Sequence, residues 1–459
     1  MIDGDKAQTT ARAERSISRQ LAHQLIHGGR VGSTILELWQ RTRMDWGFVT
    51  DRLSSVFRRE RWIGSHERRF ISETLYGLVR HLRRIDLAIS LISRRTAAPR
   101  DLDRLLALLV LEGQIDPKDA ERASPALDWA RCKNVDDAIA AERNLVKRVA
   151  LAASMPDWLA KKLCADWGDE AMPLALALNQ RAPMTVRANS LIVDRATLAT
   201  ELAAEGLETT FGKWCDSALI VDTRTNLFGT KAFTRGAFEA QDEGSQLLAD
   251  LSVPAKNDKK GPLVIDLCAG AGGKTLAIAA RLGNRGRLVS TDVDGKKLEE
   301  LRRRARRAQV SIAQAITIDD GEWPPQLLAH SGKADVVLVD APCSGIGALR
   351  RNPEARWRLT EADVTALTAI QRRLVERAAT LCATGGRIVY ATCTLLRTEN
   401  QDVVEAVTAA HPDIKKAPLA SVLGLERAAE MSSRDGESFT VTPHRHGTDG
   451  FFAQILTRA

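Results

Sequence analysis

Apolar positions in the first third of the chain recur every three or four residues. The segment from Phe70 to Ile92 follows this pattern, and so does the shorter stretch from Ile17 to Ile26. Such spacing aligns the apolar side chains on one face of an α-helix. Ser65, followed closely by an acidic residue, is expected to cap the longer helix. Residues 1–150 are therefore predicted to form an all-helical domain.

The pattern becomes mixed in the next part of the chain. Helical spacing is found over 157–167 and 196–205, whereas 184–188 and 219–221 are short runs typical of strands. We therefore expect a small α+β domain over residues 151–235.

From Leu263 onwards, short apolar runs alternate with helical patterns. Strands are predicted at Leu263–Leu267, Arg287–Thr291, Ala315–Ile318, Ala334–Val339 and Arg387–Ala391, and helices at Lys274–Arg281 and Gly295–Ala308. Strands that alternate with helices are typical of a parallel, doubly wound sheet. The sequence thus predicts an α/β fold class, with the α/β domain over residues 236–459.

The composition restricts the class of protein. The chain has 459 residues, of which 44% are hydrophobic and 27% charged, so it can bury cores of ordinary size. Its 7 cysteines are scattered without a C-x-x-C pair, which disfavours a disulfide framework and a zinc site. The apolar run Leu105–Leu111 is too short to cross a bilayer, and the polar N-terminus does not resemble a secretory signal. We therefore expect a cytoplasmic protein that binds no membrane and no metal.

Arginine is concentrated in three short runs. They are Arg58–Trp62, Arg80–Arg84 and Arg302–Arg307, in a chain where Lys and Arg outnumber Asp and Glu by 66 to 58. Each run alone fits a solvated helix face. Basic runs in two predicted domains favour a polyanionic partner such as RNA, bound through its phosphates.

A glycine-rich stretch, Asp266–Thr275, lies between a predicted strand and a predicted helix. Three nucleotide-binding patterns compete for it. A P-loop requires glycine where Cys268 stands, and the dinucleotide fingerprint requires glycine where Thr275 stands. The third candidate is the S-adenosylmethionine loop of class I methyltransferases, which expects an acid at the end of the next strand to hold the ribose hydroxyls. Asp292 occupies that position, and therefore favours the methyl donor.

Further polar residues follow the other predicted strands. Asp319 and Asp320 come after the third strand, and Asp340 ends the fourth. Cys343 follows that same strand closely, and Cys393 follows the fifth. Because the carboxyl ends of parallel strands meet at one edge of a sheet, we expect these side chains at the edge where ligands bind.

Two thiols beside a methyl-donor loop indicate a particular chemistry. Carbon 5 of a pyrimidine is a poor nucleophile until a thiolate attacks carbon 6 and turns the base into an enamine-like species. Such a thiol must be reachable and partly ionised. Cys343 and Cys393 meet the positional requirement. Cys268, in the loop, and Cys382, in a predicted helix, are expected to be structural.

The chain resembles the RsmB/Sun family of RNA cytosine-C5 methyltransferases. The motifs D-L-C-A-G-A-G-G-K-T, V-D-A-P-C-S-G-I-G and Y-A-T-C-T-L-L-R-T-E-N carry this resemblance most specifically. The stretches Phe238–Leu248, Met184–Asn189 and Arg350–Arg358 are similar to the catalytic-domain entry, a strand of the small RNA-associated domain and the substrate loop. The S-H-E-R-R-F-I-S-E-T-L-Y-G-L-V-R stretch is similar to the NusB-like helical domain of the bacterial 16S rRNA branch.

The resemblance implies a fold and a set of roles. The fold is a Rossmann-like class I methyltransferase domain, preceded by a NusB-like helical domain and a small α+β domain. Asp292 would hold the ribose, Asp320 or its neighbour Asp319 the adenine side, and Asp340 the space between donor and base. Cys393 would be the nucleophile and Cys343 would assist release of the product. The loop that holds the donor would consist of Cys268, Ala269, Gly270, Ala271, Gly272, Gly273 and Lys274.

One departure from the family pattern concerns this loop. The family usually has A-A-P-G-G-K, whereas this chain has A-G-A-G-G-K from Ala269 to Lys274. The loss of a proline and gain of a glycine should loosen the loop, although its backbone N–H donors remain.

The predicted function is therefore formation of 5-methylcytosine in RNA, most specifically 16S rRNA, by a monomer that uses S-adenosylmethionine. One alternative is a methyltransferase of transfer RNA, another RNA or a protein. The other is a NusB-like RNA-binding factor with an inactive methyltransferase domain, against which the presence of both Cys343 and Cys393 counts.

Overall fold

The computed structural model describes residues 16–26, 28–93, 98–222, 226–254, 261–433 and 436–459. These residues form two compact units. The first contains the described residues up to Gln180 together with Leu349–Leu359, and the second contains those of Arg181–Ala348 and Thr360–Ala459. The division into domains at 1–150, 151–235 and 236–459 stays a prediction.

The first unit is helical, and its described residues contain no strand. Its helices, after one at 16–26, are Arg30–Asp45, Val49–Arg59, Ser65–Ile92, Asp101–Leu111, Pro117–Ala123, Val135–Ala141, Leu145–Ala152, Asp157–Trp167, Ala171–Leu178 and Ala355–Arg358. Buried Trp39, Leu75 and Leu108 belong to one continuous core. The expectation that Ser65 caps the long helix was wrong, because Ser65 is its first helical residue and Gly64 is the N-cap.

Leu349–Leu359 is tightly bound within this helical unit. The side chain of Arg356 is fully buried, and its Nη1 donates to the carbonyls of Ala153 at 2.8 Å and Ser154 at 3.3 Å. The Trp357 indole donates to the Val79 carbonyl at 2.9 Å. Burial lowers the pKa of Arg356 to about 9. The stretch that resembles a substrate loop thus uses Arg356 and Trp357 for internal contacts.

The second unit begins with a small antiparallel sheet of four strands in the order β2-β3-β1-β4. The strands are β1 (Met184–Ala188), β2 (Thr209–Phe211), β3 (Ala218–Val221) and β4 (Phe238–Ala240), and the helices beside them are Arg195–Ala204 and Lys231–Thr234. Val186, Leu198 and Phe238 form part of their shared core. Both strands predicted in this region are confirmed.

The larger sheet of the second unit has eight strands. Its strands are β5 (Leu263–Asp266), β6 (Arg287–Asp292), β7 (Ala313–Thr317), β8 (Ala334–Asp340), β9 (Cys382–Thr392), β10 (Ile414–Lys416), β11 (Phe439–Val441) and β12 (Phe451–Arg458). The order is β10-β12-β9-β8-β5-β6-β7, with β11 paired to β12. Strands β5 to β9 pair in parallel, whereas β12 lies antiparallel to β9, β10 and β11.

Helices cover both faces of this sheet, as expected for a doubly wound Rossmann-like fold. Adjacent residues of β5 face opposite cores, since Val264 packs with the helices Glu243–Leu251 and Gly273–Arg281, whereas Ile265 packs with Glu361–Leu381 and Gln401–Ala410. The remaining helices are Gly295–Arg307, Pro325–Leu328, Ala420–Leu423, Leu425–Met431 and Pro443–His446. The α/β fold predicted from the sequence is confirmed.

Cys382 departs from its predicted setting. The expected helix ends at Leu381, and Cys382 is the first residue of β9, fully buried and paired in register with Ala334 of β8. Burial raises the pKa of its thiol to about 11. It is a structural residue, as predicted, but in a strand.

Candidate active site

Four neighbouring strands bring the predicted site residues to one edge of the large sheet. Strands β6, β5, β8 and β9 are adjacent and parallel, so their carboxyl ends lie side by side. Asp292 ends β6 and Asp340 ends β8, where it pairs in register with Ala391 of β9. The glycine loop follows β5. Ligands of open α/β sheets bind at this edge.

The glycine loop turns sharply between β5 and the helix Gly273–Arg281. Gly270 has φ +54° and Gly272 has φ +86°, a left-handed conformation that favours glycine. The loop is tied to β6 by the N–H of Ala269, which donates to the Thr291 carbonyl at 2.8 Å. Cys268 belongs to the same loop, and burial raises the pKa of its thiol. Its thiol is therefore protonated and serves packing.

Asp292 braces this loop from the neighbouring strand. Its Oδ2 accepts a hydrogen bond from the N–H of Gly270 at 2.9 Å, and its Oδ1 accepts one from Asp294 at 2.9 Å. A carboxylate accepts about four hydrogen bonds, so lone pairs remain for vicinal hydroxyl groups. Asp292 is 8% exposed, at the edge of the open space beside the loop.

Asp319 and Asp320 are both exposed beyond the end of β7. Asp319 Oδ1 accepts a hydrogen bond from Gly321 N at 2.9 Å, and Asp320 Oδ1 lies 3.8 Å from Arg373 Nη2. The backbone ties this segment to β6, since the N–H of Ile318 donates to the Asp292 carbonyl at 3.1 Å. Both aspartates therefore follow a segment that is tied to the carboxyl end of β6. Among the described residues, neither side chain forms a hydrogen bond or an ion pair with the glycine loop.

Lys274 and Asp340 form a close ion pair across this edge. Lys274 Nζ donates to Asp340 Oδ2 at 2.5 Å, and the lysine side chain is only 11% exposed. Burial lowers the pKa of Lys274, but the Asp340 carboxylate outweighs it and the pKa is raised overall. The lysine is therefore a fixed cation, and it holds Asp340 in place.

The thiols of Cys343 and Cys393 are in direct contact. Their sulfur atoms lie 3.3 Å apart, and the N–H of Cys393 donates to Cys343 Sγ at 3.3 Å. The pKa of Cys343 is raised well above its ordinary value, first by the hydrogen bond to Cys393 and then by burial. The Cys343 thiol is therefore held in its protonated form in the resting protein.

Glu399 is a functional residue that sequence reasoning did not single out. It is fully buried, and its Oε1 accepts hydrogen bonds from the N–H of Ser344 at 2.8 Å and from Gln371 Nε2 at 3.1 Å. The Ser344 hydroxyl donates to the other carboxylate oxygen and lies 2.9 Å from Thr394 Oγ1. Ser344 and Thr394 directly follow the two cysteines, so Glu399 links their loops. Glu399 lies in the T-E-N run that ends the motif of Cys393, but no sequence pattern assigned a role to it.

Asp266 is a second residue that the sequence did not mark as functional. It is fully buried at the end of β5, and Thr275 Oγ1 donates to its Oδ2 at 2.6 Å. Burial raises its pKa to about 7. Its Oδ1 is buried and has no hydrogen-bond partner among the described residues.

The residues at this edge fit S-adenosylmethionine. A methyl group added at Gly270 or Gly273 meets no atom within 4 Å, so the loop borders open space. The helix Gly273–Arg281 points its N-terminus at that space, and Gly272 is the N-cap. N–H donors of the loop and the Asp292 carboxylate match the polar groups of an amino-acid nucleoside.

Family models match most of the second unit and part of the first. A model described as 16S rRNA methyltransferase RsmB/F matches residues 253–457, and one described as an RsmF/B-like ferredoxin-like domain matches residues 155–227. The probable ribosomal RNA small subunit methyltransferase B of Bacillus subtilis is 34% identical over 308 residues, 67% of each chain. The chain belongs to the RsmB/F methyltransferase family.

Other relatives agree with this family. The probable ribosomal RNA small subunit methyltransferase B of Synechocystis is 29% identical over 86% of this chain and 92% of its own. A methyltransferase homologue from Pyrococcus horikoshii has the same fold, with a TM-score of 0.57, 24% identity and coverage of 69% of this chain and all of its own. As an RsmB/F member, the protein is an S-adenosylmethionine-dependent RNA methyltransferase. The predicted family, reaction class and cofactor are confirmed.

Many arginines of the basic runs form ion pairs with acidic residues of the same unit in this RsmB/F member. Arg83 binds Asp157 at 2.6 Å and Arg84 binds Asp136 at 2.8 Å. Arg304 and Arg307 both bind Glu239. The side chains that remain exposed in these runs include Arg58, Arg61, Arg302, Arg303 and Arg306. The exposed arginines are therefore the better candidates for phosphate contacts.

The described part of the chain lacks two kinds of feature. No helix there is long and apolar enough to cross a membrane. No group of three or more His, Cys, Asp or Glu side chains there could hold a metal ion.

Proposed function

We propose that this protein methylates carbon 5 of a cytosine in 16S rRNA through a covalent bond between Cys393 and carbon 6 of the base. The contact between the two thiols carries the proposal. A methyltransferase that acts on an amino group or on oxygen needs no thiol, whereas C5 chemistry needs a nucleophile and a group that removes a proton. Cys343 and Cys393, 3.3 Å apart at the cofactor edge, supply both.

The donor is held by the loop Cys268–Lys274, with Asp292 on the ribose hydroxyls. Asp320, or its neighbour Asp319, lies on the adenine side. S-adenosylmethionine, when bound, supplies an electrophilic methyl group. Asp340 occupies the space between donor and base, where Lys274 Nζ fixes its Oδ2 at 2.5 Å. Its second carboxylate oxygen can accept a hydrogen bond from the cytosine amino group or from a protonated ring nitrogen.

The thiolate of Cys393 attacks carbon 6 and makes carbon 5 nucleophilic. Carbon 5 then takes the methyl group, after which its proton must leave and the carbon–sulfur bond must break. Cys343 is protonated at first, chiefly because it is hydrogen-bonded to Cys393. Bond formation by Cys393 removes that cause, and Cys343 can then release its own proton to solvent. Its thiolate takes the proton from carbon 5, and the electrons of that carbon–hydrogen bond expel Cys393 from carbon 6 as a thiolate.

The helical unit is proposed to be NusB-like and to bind structured RNA through exposed arginines. The whole protein is proposed to act as a cytoplasmic monomer with three domains at 1–150, 151–235 and 236–459. These statements rest on the resemblance of the helical stretch and on the arginine pattern.

The substrate is tested by bisulfite sequencing of total RNA from cells with and without this protein. We expect one cytosine of 16S rRNA to lose its protection when the protein is absent. Purified protein should also transfer labelled methyl groups to unmodified 16S rRNA and not to transfer RNA. Loss of protection in a transfer RNA would favour the alternative substrate, and an absence of any transfer would favour an inactive RNA-binding factor.

A further inference from the structure

The residue types of the methyl-donor loop, Cys268–Lys274, allow its backbone to be flexible. Contacts from residues outside the loop restrain it. Gly270 and Gly273 have open space around them, and the loop has no proline to fix its path. Preorganised N–H groups bind a ligand more tightly than groups that must be ordered on binding. Besides the hydrogen bonds that the loop donates to Asp292 and Thr291 of β6, a further contact from outside the loop would therefore favour donor binding.

Arg304 makes that contact. Its Nη1 donates to the Ala271 carbonyl at 2.8 Å, near the middle of the loop. Its Nη2 donates at 3.0 Å to Oε2 of Glu239, which lies outside the loop. Arg304 is 18% exposed and Glu239 4%, so water competes poorly for either bond. One guanidinium thus bridges a loop carbonyl and a buried carboxylate.

Glu239 is fixed within the small antiparallel sheet. It lies on β4, opposite Arg187 of β1 in the register of the two strands. Arg307 binds its second carboxylate oxygen, and the Arg307 guanidinium lies 3.9 Å from the centroid of the Phe233 ring. Because two arginines and a strand hold it, Glu239 is a rigid anchor for Arg304.

The helix Gly295–Arg307 supports the loop at a second point. A side chain at Gly272 would come within 2.6 Å of Leu301, so the loop backbone lies directly on this helix. The end of the helix is tied to the small sheet, since Asn189 Nδ2 donates to the Ala308 carbonyl at 2.9 Å. Leu301 and Arg304 thus contact adjacent residues of the loop from one turn of helix.

We propose that Arg304, anchored by Glu239, is a positioning residue that preorganises the methyl-donor loop. The small sheet thereby supports donor binding through one guanidinium, in place of the proline usual in this family's loop. The inference rests on the proposed donor-binding role of the loop Cys268–Lys274. It adds a residue that contacts neither the donor nor the base.

The test is donor affinity of the full-length protein, measured by calorimetry with S-adenosylmethionine. Arg304→Ala should weaken binding about tenfold to a hundredfold, the effect of losing a charge-assisted hydrogen bond. Arg304→Lys should be intermediate, because a lysine reaches one partner but not both. Arg306→Ala, on the same helix but exposed, is the matched control and should bind like the wild type.

A second variant separates positioning from simple loss of stability. In the described part of the chain the N–H of Ala271 makes no hydrogen bond, so proline at this position removes none. Ala271→Pro should restore most of the donor affinity of Arg304→Ala and change the wild type little. If Arg304→Ala binds the donor like Arg306→Ala, or if proline restores the melting temperature but not the affinity, the inference is wrong. A wild type that does not bind the donor would instead refute the proposed role of the loop.

Discussion

The sulfur atoms of Cys343 and Cys393 lie 3.3 Å apart, although 50 residues separate them in the chain. The contact arises because β8 and β9 are parallel neighbours, with Asp340 and Ala391 paired in register. Cys393 directly follows β9, and Cys343 is the third residue after β8. The ionisation of one thiol opposes that of the other, so the pair loses its two protons in separate steps. The proposed reaction gives the two cysteines different roles, which single variants can separate.

The single cysteine variants should differ in covalent adduct formation. Cys393→Ala should abolish both methylation and any covalent enzyme–RNA species, because no thiolate remains in position for carbon 6. Cys343→Ala should still attack but fail to release the product, so an adduct should accumulate that survives a denaturing gel and disappears on nuclease digestion. An adduct in Cys393→Ala and none in Cys343→Ala would show that the roles are reversed.

Asp292 should contribute to donor affinity through its charge. Asp292→Ala removes the acceptor for Gly270 N–H and the partner for ribose hydroxyls, and should weaken S-adenosylmethionine binding at least about tenfold. Asp292→Asn keeps an acceptor for the loop and should lose less. Calorimetry on both variants measures this. Wild-type affinity in Asp292→Ala would exclude Asp292 from the ribose role.

Glu399 should affect the chemical step without affecting donor binding. Glu399→Gln preserves the shape of the side chain but replaces one of its two acceptor oxygens with an amide donor. One of the hydrogen bonds from Ser344 is then lost, which disturbs the loops of both cysteines. We expect kcat for methylation to fall about tenfold or more while S-adenosylmethionine affinity stays unchanged. Glu399→Ala should in addition lower the free energy of unfolding by about 3 kcal/mol, since several buried groups lose their partner. An unchanged kcat in Glu399→Gln would contradict the assigned role.

Asp266 should make stability depend on pH. Burial raises its pKa from 3.8 to about 7, so between these values the folded state binds more protons than the unfolded state. The contribution of Asp266 to stability is therefore complete below pH 4 and is lost as the pH rises towards 7. Asp266→Asn lacks this titration. Urea unfolding at pH 5 and pH 8 should show the variant gaining on the wild type at the higher pH, by at most about 3 kcal/mol. A difference that is constant with pH would contradict this.

The exposed arginines should contribute to RNA affinity through phosphates. Replacement of Arg58 and Arg61 by glutamate should weaken binding of 16S rRNA and reduce its salt dependence, because fewer counterions are released. Binding measured across a range of salt concentrations checks both effects. Arg84→Gln, which removes a guanidinium already paired with Asp136, should leave the salt slope unchanged. An unchanged salt dependence in the variant with both Arg58 and Arg61 replaced would show that the RNA binds elsewhere on the protein.

The local pattern of the sequence was enough to predict the fold and the position of the cofactor loop. Strands β1, β5, β6, β8 and the helix Asp157–Trp167 lie within one or two residues of their predicted bounds. The alternation of strands and helices imposes a parallel sheet, and a parallel sheet places all its carboxyl ends at one edge. Asp292, Asp340 and the cysteines could therefore be assigned to that edge before any coordinates were known.

Tertiary structure alone decided how those residues are paired. The proximity of Cys343 to Cys393, the link through Glu399 and the bridge of Arg304 from Glu239 to Ala271 depend on contacts between segments far apart in the chain. The same is true of Arg356, which lies in the stretch that resembles a substrate loop but which is fully buried. Periodicity reports which face of an element is apolar, but it carries no information on which distant polar group a charged side chain will meet. Strand register and helix packing fix those partners, and only the folded chain determines them.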